Sequence, residues 1–129
     1  MQPLLSLEGC RFFNLQVKVH DDNSAAALVP ESLLNSHDDV LRTASLIQSL
    51  DLVIAVDTMV VHLAGAMGKP VWVLLTKCAD WRWMMGRDTS PWYPTMRLFR
   101  QGDGAAWTPV VTRVCAALAQ LRLSKQQPP

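Results

Sequence analysis

The stretch DLVIAVDTMVVHLAGAMGKPVWVLL, residues 51–75, decides the fold. Residues 52–56 (LVIAV) are a continuous apolar run rich in β-branched side chains, which is typical of a strand covered on both faces. Residues 58–67 follow with helical spacing and end at Gly68, a usual signal for the end of a helix. Residues 71–75 (VWVLL) predict a second apolar strand. Because the connections are very short, this order predicts two parallel strands joined by a right-handed crossover.

The flanks of this unit extend the alternation of helix and strand. Upstream, residues 40–50 carry apolar side chains at helical spacing, and Asp39 precedes them, where a carboxylate suits the positive end of the helix dipole. The remaining predictions are the end of a helix at residues 4–7, a strand at 11–16, a long loop at 17–39 with a helical turn at 31–34, a helical turn at 79–85, an extended or turned segment at 90–94, a strand at 96–100 and an amphipathic helix at 107–123.

We therefore expect an α/β fold, a Rossmann-like three-layer domain with a parallel sheet of about four or five strands and helices on both faces. A chain of 129 residues is long enough for one domain and too short for two well-packed ones. The predicted domain spans residues 1–123, and residues 124–129 are expected to be a disordered tail.

Composition excludes several classes of protein. Half of the chain is hydrophobic and 18% is charged, which does not fit a disordered tail. A net charge of +1 without a basic run argues against a nucleic-acid partner. Charged residues interrupt the longest apolar stretch, so no membrane span is expected, and the first residues do not resemble a secretory signal. Three distant cysteines without a CxxC motif predict reduced thiols in a cytoplasmic protein and no metal site.

The first candidate site follows the strand at residues 52–56. Asp57 and Thr58 leave this strand, and ligands of open parallel sheets bind beyond the carboxyl ends of the strands. We expect Thr58 to cap the following helix with its hydroxyl, while the free amides of Met59, Val60 and Val61 form an anion site suited to a phosphate. His62 lies one turn further on the same face. Because its charge repels phosphate, Asp57 fits better as an acceptor for sugar hydroxyls, or as a fixed carboxylate that orients a neighbouring side chain.

Structural roles remain open for the same residues. Asp-Thr after a strand is an ordinary capping pair. A single histidine inside an apolar helix is more often hydrogen-bonded for structure than catalytic.

A second candidate cluster is rich in aromatic and charged side chains. Aromatic faces beside guanidinium groups stack on a base or a sugar ring and hold a diphosphate, and rings with polar tips also fasten an irregular loop to a sheet. Both interpretations stay open. Arg100, further along the chain, is expected simply to be solvated. The candidate contacts to base, sugar and phosphate are Asp80, Trp81, Arg82, Trp83, Arg87, Trp92 and Tyr93.

Residues 51–75, followed by DWRWMMGRDTSPWYPTMRLFRQ at residues 80–101, resemble the carboxyl-terminal half of glycosyltransferase family 9, the lipopolysaccharide heptosyltransferase group. The closer likeness is to the glycosyltransferase-like domain that ends many bacterial tetratricopeptide-repeat proteins. The resemblance covers nearly the whole chain, and the DTxxxHLAGAxGKPVW string is its most specific part.

This resemblance implies a GT-B fold, in which two Rossmann-like domains face each other across a cleft. The half seen here would bind the nucleotide-sugar donor through Asp57, Thr58 and the Met59 amide, with His62 beside them. Such enzymes are usually inverting and hold no tightly bound cofactor or metal, so the nucleotide sugar is a substrate. The acceptor domain is not in these residues, and we expect the isolated chain to be inactive. The alternative is a non-catalytic remnant or interaction module that pairs with itself or with another protein.

Two further classes have little support in the sequence. No GxGxxG follows a predicted strand, which argues against a dinucleotide-dependent oxidoreductase. The acidic cluster that a response-regulator-like receiver needs at its strand ends is not present.

Overall fold

The computed structural model describes residues 2–15 and 39–126. The chain divides into two compact units, one formed by Met1–Asp38 with Val111–Pro129 and the other by Asp39–Val110. Residues 17–38 of the loop predicted at 17–39, with its helical turn at 31–34, lie outside the described residues, as do the last three residues of the predicted tail. The predicted domain boundary at residue 123 stays a prediction.

Helices and strands alternate through the second unit, in the order that the periodicity predicts. The bounds of these elements agree with the predicted ones within three residues, and those of the strands at 71–75 and 96–100 agree without a difference. The elements are α1 (Gln2–Leu5), α2 (Val40–Ser49), β1 (Val53–Val56), α3 (Met59–Ala66), β2 (Val71–Leu75), a 3₁₀ turn (Trp81–Trp83), β3 (Met96–Arg100) and α4 (Thr108–Gln126).

The described strands form one parallel sheet with the order β1-β2-β3. In its register Val53 lies opposite Val71, and Val71 lies opposite Met96. The parallel pairing of β1 with β2 confirms the strand–helix–strand prediction. Within the described part of the chain the fold is mixed α/β with a three-stranded sheet, so the prediction of four or five strands is wrong.

The missing strand is the one predicted at residues 11–16. Across residues 11–15 only Asn14 forms a single bridge, and the apolar side chains there are all half-buried rather than alternately buried and exposed. An apolar run becomes a strand only when a neighbouring strand pairs with it and covers one of its faces. Gln16 lies outside the described residues.

The central position of β2 explains its burial. All five of its residues are buried, as predicted for a strand covered on both faces. In β1, by contrast, Val53 is buried, the next two residues are half-buried and Val56 is exposed. The prediction that residues 52–56 are covered on both faces is therefore wrong, because the side chains from Ile54 to Val56 keep contact with solvent.

The helices have identifiable starts and ends. Asp39 caps α2, and its carboxylate accepts a hydrogen bond from the Arg42 amide at 2.9 Å. Helix α3 packs against α2, β1 and β2 and is followed by Gly68, whose φ of +69° suits glycine. Helix α4 continues to Gln126, three residues beyond the predicted end, so the start of the predicted tail is helical.

The apolar face predicted for residues 107–123 is confirmed, since Val110, Val114 and Leu118 are buried. None of the helices described in the structure combines the length and the apolar character needed to cross a bilayer.

Candidate functional site

Asp57 and His62 form a hydrogen-bonded pair where β1 ends and α3 begins. Asp57 directly follows the last residue of β1, and His62 lies in the first turns of α3, so the strand-to-helix turn brings the two side chains together. His62 Nε2 lies 3.2 Å from Asp57 Oδ1, and about a third of each side chain is exposed (31% and 33%). The sequence predicts that the His62 ring reaches the site at this strand end, and here its Nε2 contacts the Asp57 carboxylate. The role of this pair in binding a ligand stays a prediction.

Two aromatic side chains from the following loop complete this arrangement. The Trp83 indole nitrogen donates to Asp57 Oδ2 at 2.8 Å, and the Trp83 ring stacks on His62 with ring centroids 5.2 Å apart. The Tyr93 hydroxyl lies 3.3 Å from His62 Nδ1. We call these four residues the Asp57 cluster. All four belong to the unit Asp39–Val110.

The start of α3 differs from the prediction in two respects. Thr58 occupies the capping position with extended backbone angles, but its hydroxyl makes no capping hydrogen bond. The Val61 amide, predicted to be free, donates to the Thr58 carbonyl at 3.2 Å. Among residues 2–15 and 39–126, no side chain bonds to the Met59 or Val60 amide, which leaves these two donors for an acceptor from outside.

Trp83 and Tyr93 are placed differently from the other candidate contacts. Trp83 is fully buried and its indole is engaged by Asp57, so its ring has no open face for a base. Tyr93 is half-buried and directed at His62. Both therefore contact the first candidate site, a connection that no spacing in the sequence indicates.

The remaining candidates organise the loop around the 3₁₀ turn. Asp80 accepts from the Arg82 amide at 3.0 Å and forms an ion pair with the Arg82 guanidinium at 3.2 Å. The Trp92 indole donates to the Arg82 carbonyl at 3.0 Å, and Arg87 donates to the Thr89 hydroxyl. Trp81 is largely exposed. Their roles as contacts to a nucleotide stay a prediction.

The sequence predicts that Arg100 is solvated, and this prediction is wrong. It is the last residue of β3, and its Nη2 donates to the carbonyls of Trp83 at 3.0 Å and Met84 at 2.7 Å. Met84 has a φ of 50°, a conformation that residues with a side chain rarely adopt. Arg100 thus fastens a strained turn to the end of the sheet. The sequence holds no signal for this, since the partners are backbone atoms.

No group of three His, Cys, Asp or Glu side chains arranged to hold a metal ion occurs in the described ranges. A groove of about 170 Å³ lies in the unit formed by the two chain ends. It is lined by Leu7, Glu8, Cys10, Leu118, Ala119, Arg122 and Leu123, and it contains none of the predicted site residues.

The chain is similar to a protein of Caulobacter vibrioides called Protein FlbA, with 31% identity over 132 residues. The match covers 95% of this chain and 22% of FlbA, so the chain spans less than a quarter of that relative's length. No family model matches the chain, and no solved structure matches it.

These comparisons overturn the predicted membership of glycosyltransferase family 9, including the closer likeness to the domain of tetratricopeptide-repeat proteins. The relative's name does not indicate a glycosyltransferase, and no family model supports the assignment. The string that carried the resemblance has packing roles in this fold. Gly65 lies against Tyr93, and Gly68 has the positive φ that follows the end of α3.

Proposed function

We propose that the carboxyl edge of the sheet binds the diphosphate-sugar part of a nucleotide sugar, and that the chain is the donor-binding half of a glycosyltransferase of GT-B type with a Rossmann-like fold. One observation carries the proposal. A partly exposed pair, Asp57 just before α3 and His62 in its first turns, lies at the start of a helix whose Met59 and Val60 amides have no described side-chain partner.

The chemistry of the two neighbouring groups suits two parts of such a ligand. The free amides and the positive end of the α3 dipole favour a phosphate oxygen. The Asp57 carboxylate repels phosphate but accepts hydrogen bonds from sugar hydroxyls. A molecule that carries a diphosphate next to a sugar satisfies both groups. A cytoplasmic location belongs to the same proposal, since Cys10, Cys78 and Cys115 are free thiols.

The test is thermal melting of the chain with UDP, ADP and GDP and with the corresponding nucleotide sugars. A ligand that binds the folded state adds about 2.7 kcal/mol to the free energy of unfolding at 100 times its Kd. We expect stabilisation by at least one nucleotide sugar. No shift with any of them contradicts the proposal.

Asp57→Asn locates the binding site. It removes a charge-assisted hydrogen bond to the sugar, so we expect affinity for the nucleotide sugar to fall about tenfold to a hundredfold while the nucleoside diphosphate binds unchanged or more tightly. Asp103→Asn is the matched control, because Asp103 is almost fully exposed and pairs only with Lys77 among the described residues. Equal losses in the two variants contradict a site at Asp57.

The alternative is a non-catalytic remnant or interaction module, and two observations favour it. The strands follow one another across the described sheet without a reversal of order, whereas the ligand crevice of doubly wound sheets lies where the order reverses. Trp81 and Met85 are 72% and 74% exposed, and large exposed apolar side chains mark contact surfaces.

Sedimentation velocity over a range of concentrations tests this alternative. It predicts self-association that Trp81→Ser with Met85→Ser weakens. A chain that stays monomeric and binds a nucleotide sugar excludes self-association as the role of this surface and leaves the donor-binding proposal in place.

A further inference from the structure

We infer that Trp83 and Tyr93 are positioning residues. Trp83 orients the Asp57 carboxylate, Tyr93 holds the His62 ring, and Asp57 alone presents its remaining acceptor sites to a ligand hydroxyl. That this arrangement serves to bind a ligand rests on the proposed function. The arrangement itself is a property of the free protein and is tested without a ligand.

The Asp57 carboxylate has more acceptor sites than the cluster uses. An ionised carboxylate only accepts hydrogen bonds, with two oxygens and about four acceptor sites. One site on Oδ1 is used by His62, and one on Oδ2 is used by Trp83. Since a third of the Asp57 side chain is exposed, at 33%, the sites that remain are open to solvent.

In contrast, both ring nitrogens of His62 are engaged in hydrogen bonds. Its Nε2 faces a carboxylate that can only accept, so Nε2 carries a proton. In the neutral ring Nδ1 is then an acceptor, and the Tyr93 hydroxyl donates to it. His62 therefore takes no proton from a sugar hydroxyl while both contacts persist. Its role is to hold Asp57.

Both positioning residues are themselves held in place. The buried Trp83 has its carbonyl bonded by Arg100. The Tyr93 amide donates to the hydroxyl of the buried Ser90 at 3.3 Å. The Tyr93 ring also lies on α3 where Gly65 has no side chain, since a Cβ there would be 2.7 Å from Tyr93 Cγ. Groups fixed in this way keep a site in one geometry.

Nitrogen-15 NMR of the histidine rings in the ligand-free chain is the test. At a pH where His62 is neutral, we expect a protonated Nε2 and an unprotonated, hydrogen-bonded Nδ1. The opposite tautomer, or an average of the two, overturns the inference.

The Asp57→Asn variant tests whether Trp83 sets the orientation of the side chain at position 57. The indole N–H of Trp83 needs an acceptor, so the oxygen of the new amide turns to Trp83 and its NH₂ turns to His62 Nε2. The neutral ring must then switch to the Nδ1–H tautomer. In Asp57→Asn with Trp83→Phe no indole fixes the amide, and we expect both tautomers. An unchanged tautomer in the single variant, or identical spectra for the single and double variants, overturns the role of Trp83.

Loss of the buried indole can also unfold the chain, so a measurement on the unaltered protein accompanies this pair. The Trp83 indole proton should exchange with solvent at least tenfold more slowly than that of the exposed Trp81. Equal exchange rates show that Trp83 does not hold the carboxylate. Trp92→Phe is the matched control for loss of an indole from the same loop.

Tyr93→Phe isolates the second positioning residue. We expect the tautomer to be kept, because Asp57 still sets it, while the Nδ1 resonance moves to the position of a nitrogen without a donor. An unchanged Nδ1 resonance overturns the role of Tyr93. Loss of one hydrogen bond also predicts about fivefold weaker binding of a nucleotide sugar.

The two proposals fail separately. If the tautomers behave as expected and no nucleotide sugar binds, the proposed function is wrong and the positioning role stands. If a nucleotide sugar binds and the tautomers do not respond, the positioning role is wrong and the proposed function stands.

Discussion

The segment Val53 to Leu75 and the loop between Asp80 and Tyr93 are built by different forces, although both contribute to one cluster. The first is held by apolar burial and sheet pairing, and β2 is buried throughout. The second has one short 3₁₀ turn and is held by side-chain hydrogen bonds and by one buried ring, Trp83. Burial leaves a periodic pattern in the sequence, whereas hydrogen bonds to backbone atoms leave none.

The largest expected effect comes from removing the one buried ring of the loop, which tests whether the loop depends on that ring for its stability. Trp83→Ala should lower the free energy of unfolding by about 3–5 kcal/mol, as for a large residue in a regular core. Trp92→Ala is the control, and it should cost about 1 kcal/mol or less, because Trp92 is 54% exposed and loses one hydrogen bond. Chemical denaturation measures both.

A loss below about 1 kcal/mol for Trp83→Ala contradicts this view of the loop, since a fully buried tryptophan is then not needed for stability.

The segment Val53 to Leu75 could be predicted from the sequence almost residue by residue. The apolar runs place β1 and β2, and Gly68 marks the end of α3. The same patterns did not reveal that β1 is exposed at Val56, because what packs over a strand depends on distant parts of the chain. Nor did a pattern indicate that residues 11–15 would form no more than a single bridge, at Asn14.

The candidate site was only half predictable. Asp57 and His62 follow from the turn between β1 and α3, which local sequence determines. Trp83 and Tyr93 are 26 and 31 residues away from their partners, and no spacing rule connects them. Arg100 donates to two carbonyl groups, which every residue possesses, so its partners could not be identified from residue types.

Gly65→Ala tests the contact through which the two regions meet. The added Cβ would lie 2.7 Å from Tyr93 Cγ and 2.9 Å from Met96 Cε. Overpacking costs about 1–3 kcal/mol, and the better helix propensity of alanine returns about 1 kcal/mol, so we expect a net loss of about 1 kcal/mol. The displaced Tyr93 ring should also shift the His62 Nδ1 resonance.

A double-mutant cycle with Tyr93→Ala separates the clash from other effects. Without the tyrosine ring, Gly65→Ala should become neutral or stabilising. If it costs the same in both backgrounds, Tyr93 is not the group that the new Cβ meets.

The smallest expected effect concerns the starts of α2 and α3, which look alike in the sequence alone. Asp39 accepts a hydrogen bond from the Arg42 amide, whereas Thr58 makes no side-chain capping bond at the start of α3. Asp39→Ala should therefore cost about 1 kcal/mol, and Thr58→Ala only a few tenths. Thermal or chemical unfolding in the absence of ligand measures the difference. Equal losses would mean that the Thr58 hydroxyl caps α3 after all, and the α3 amides would then be less available to a phosphate.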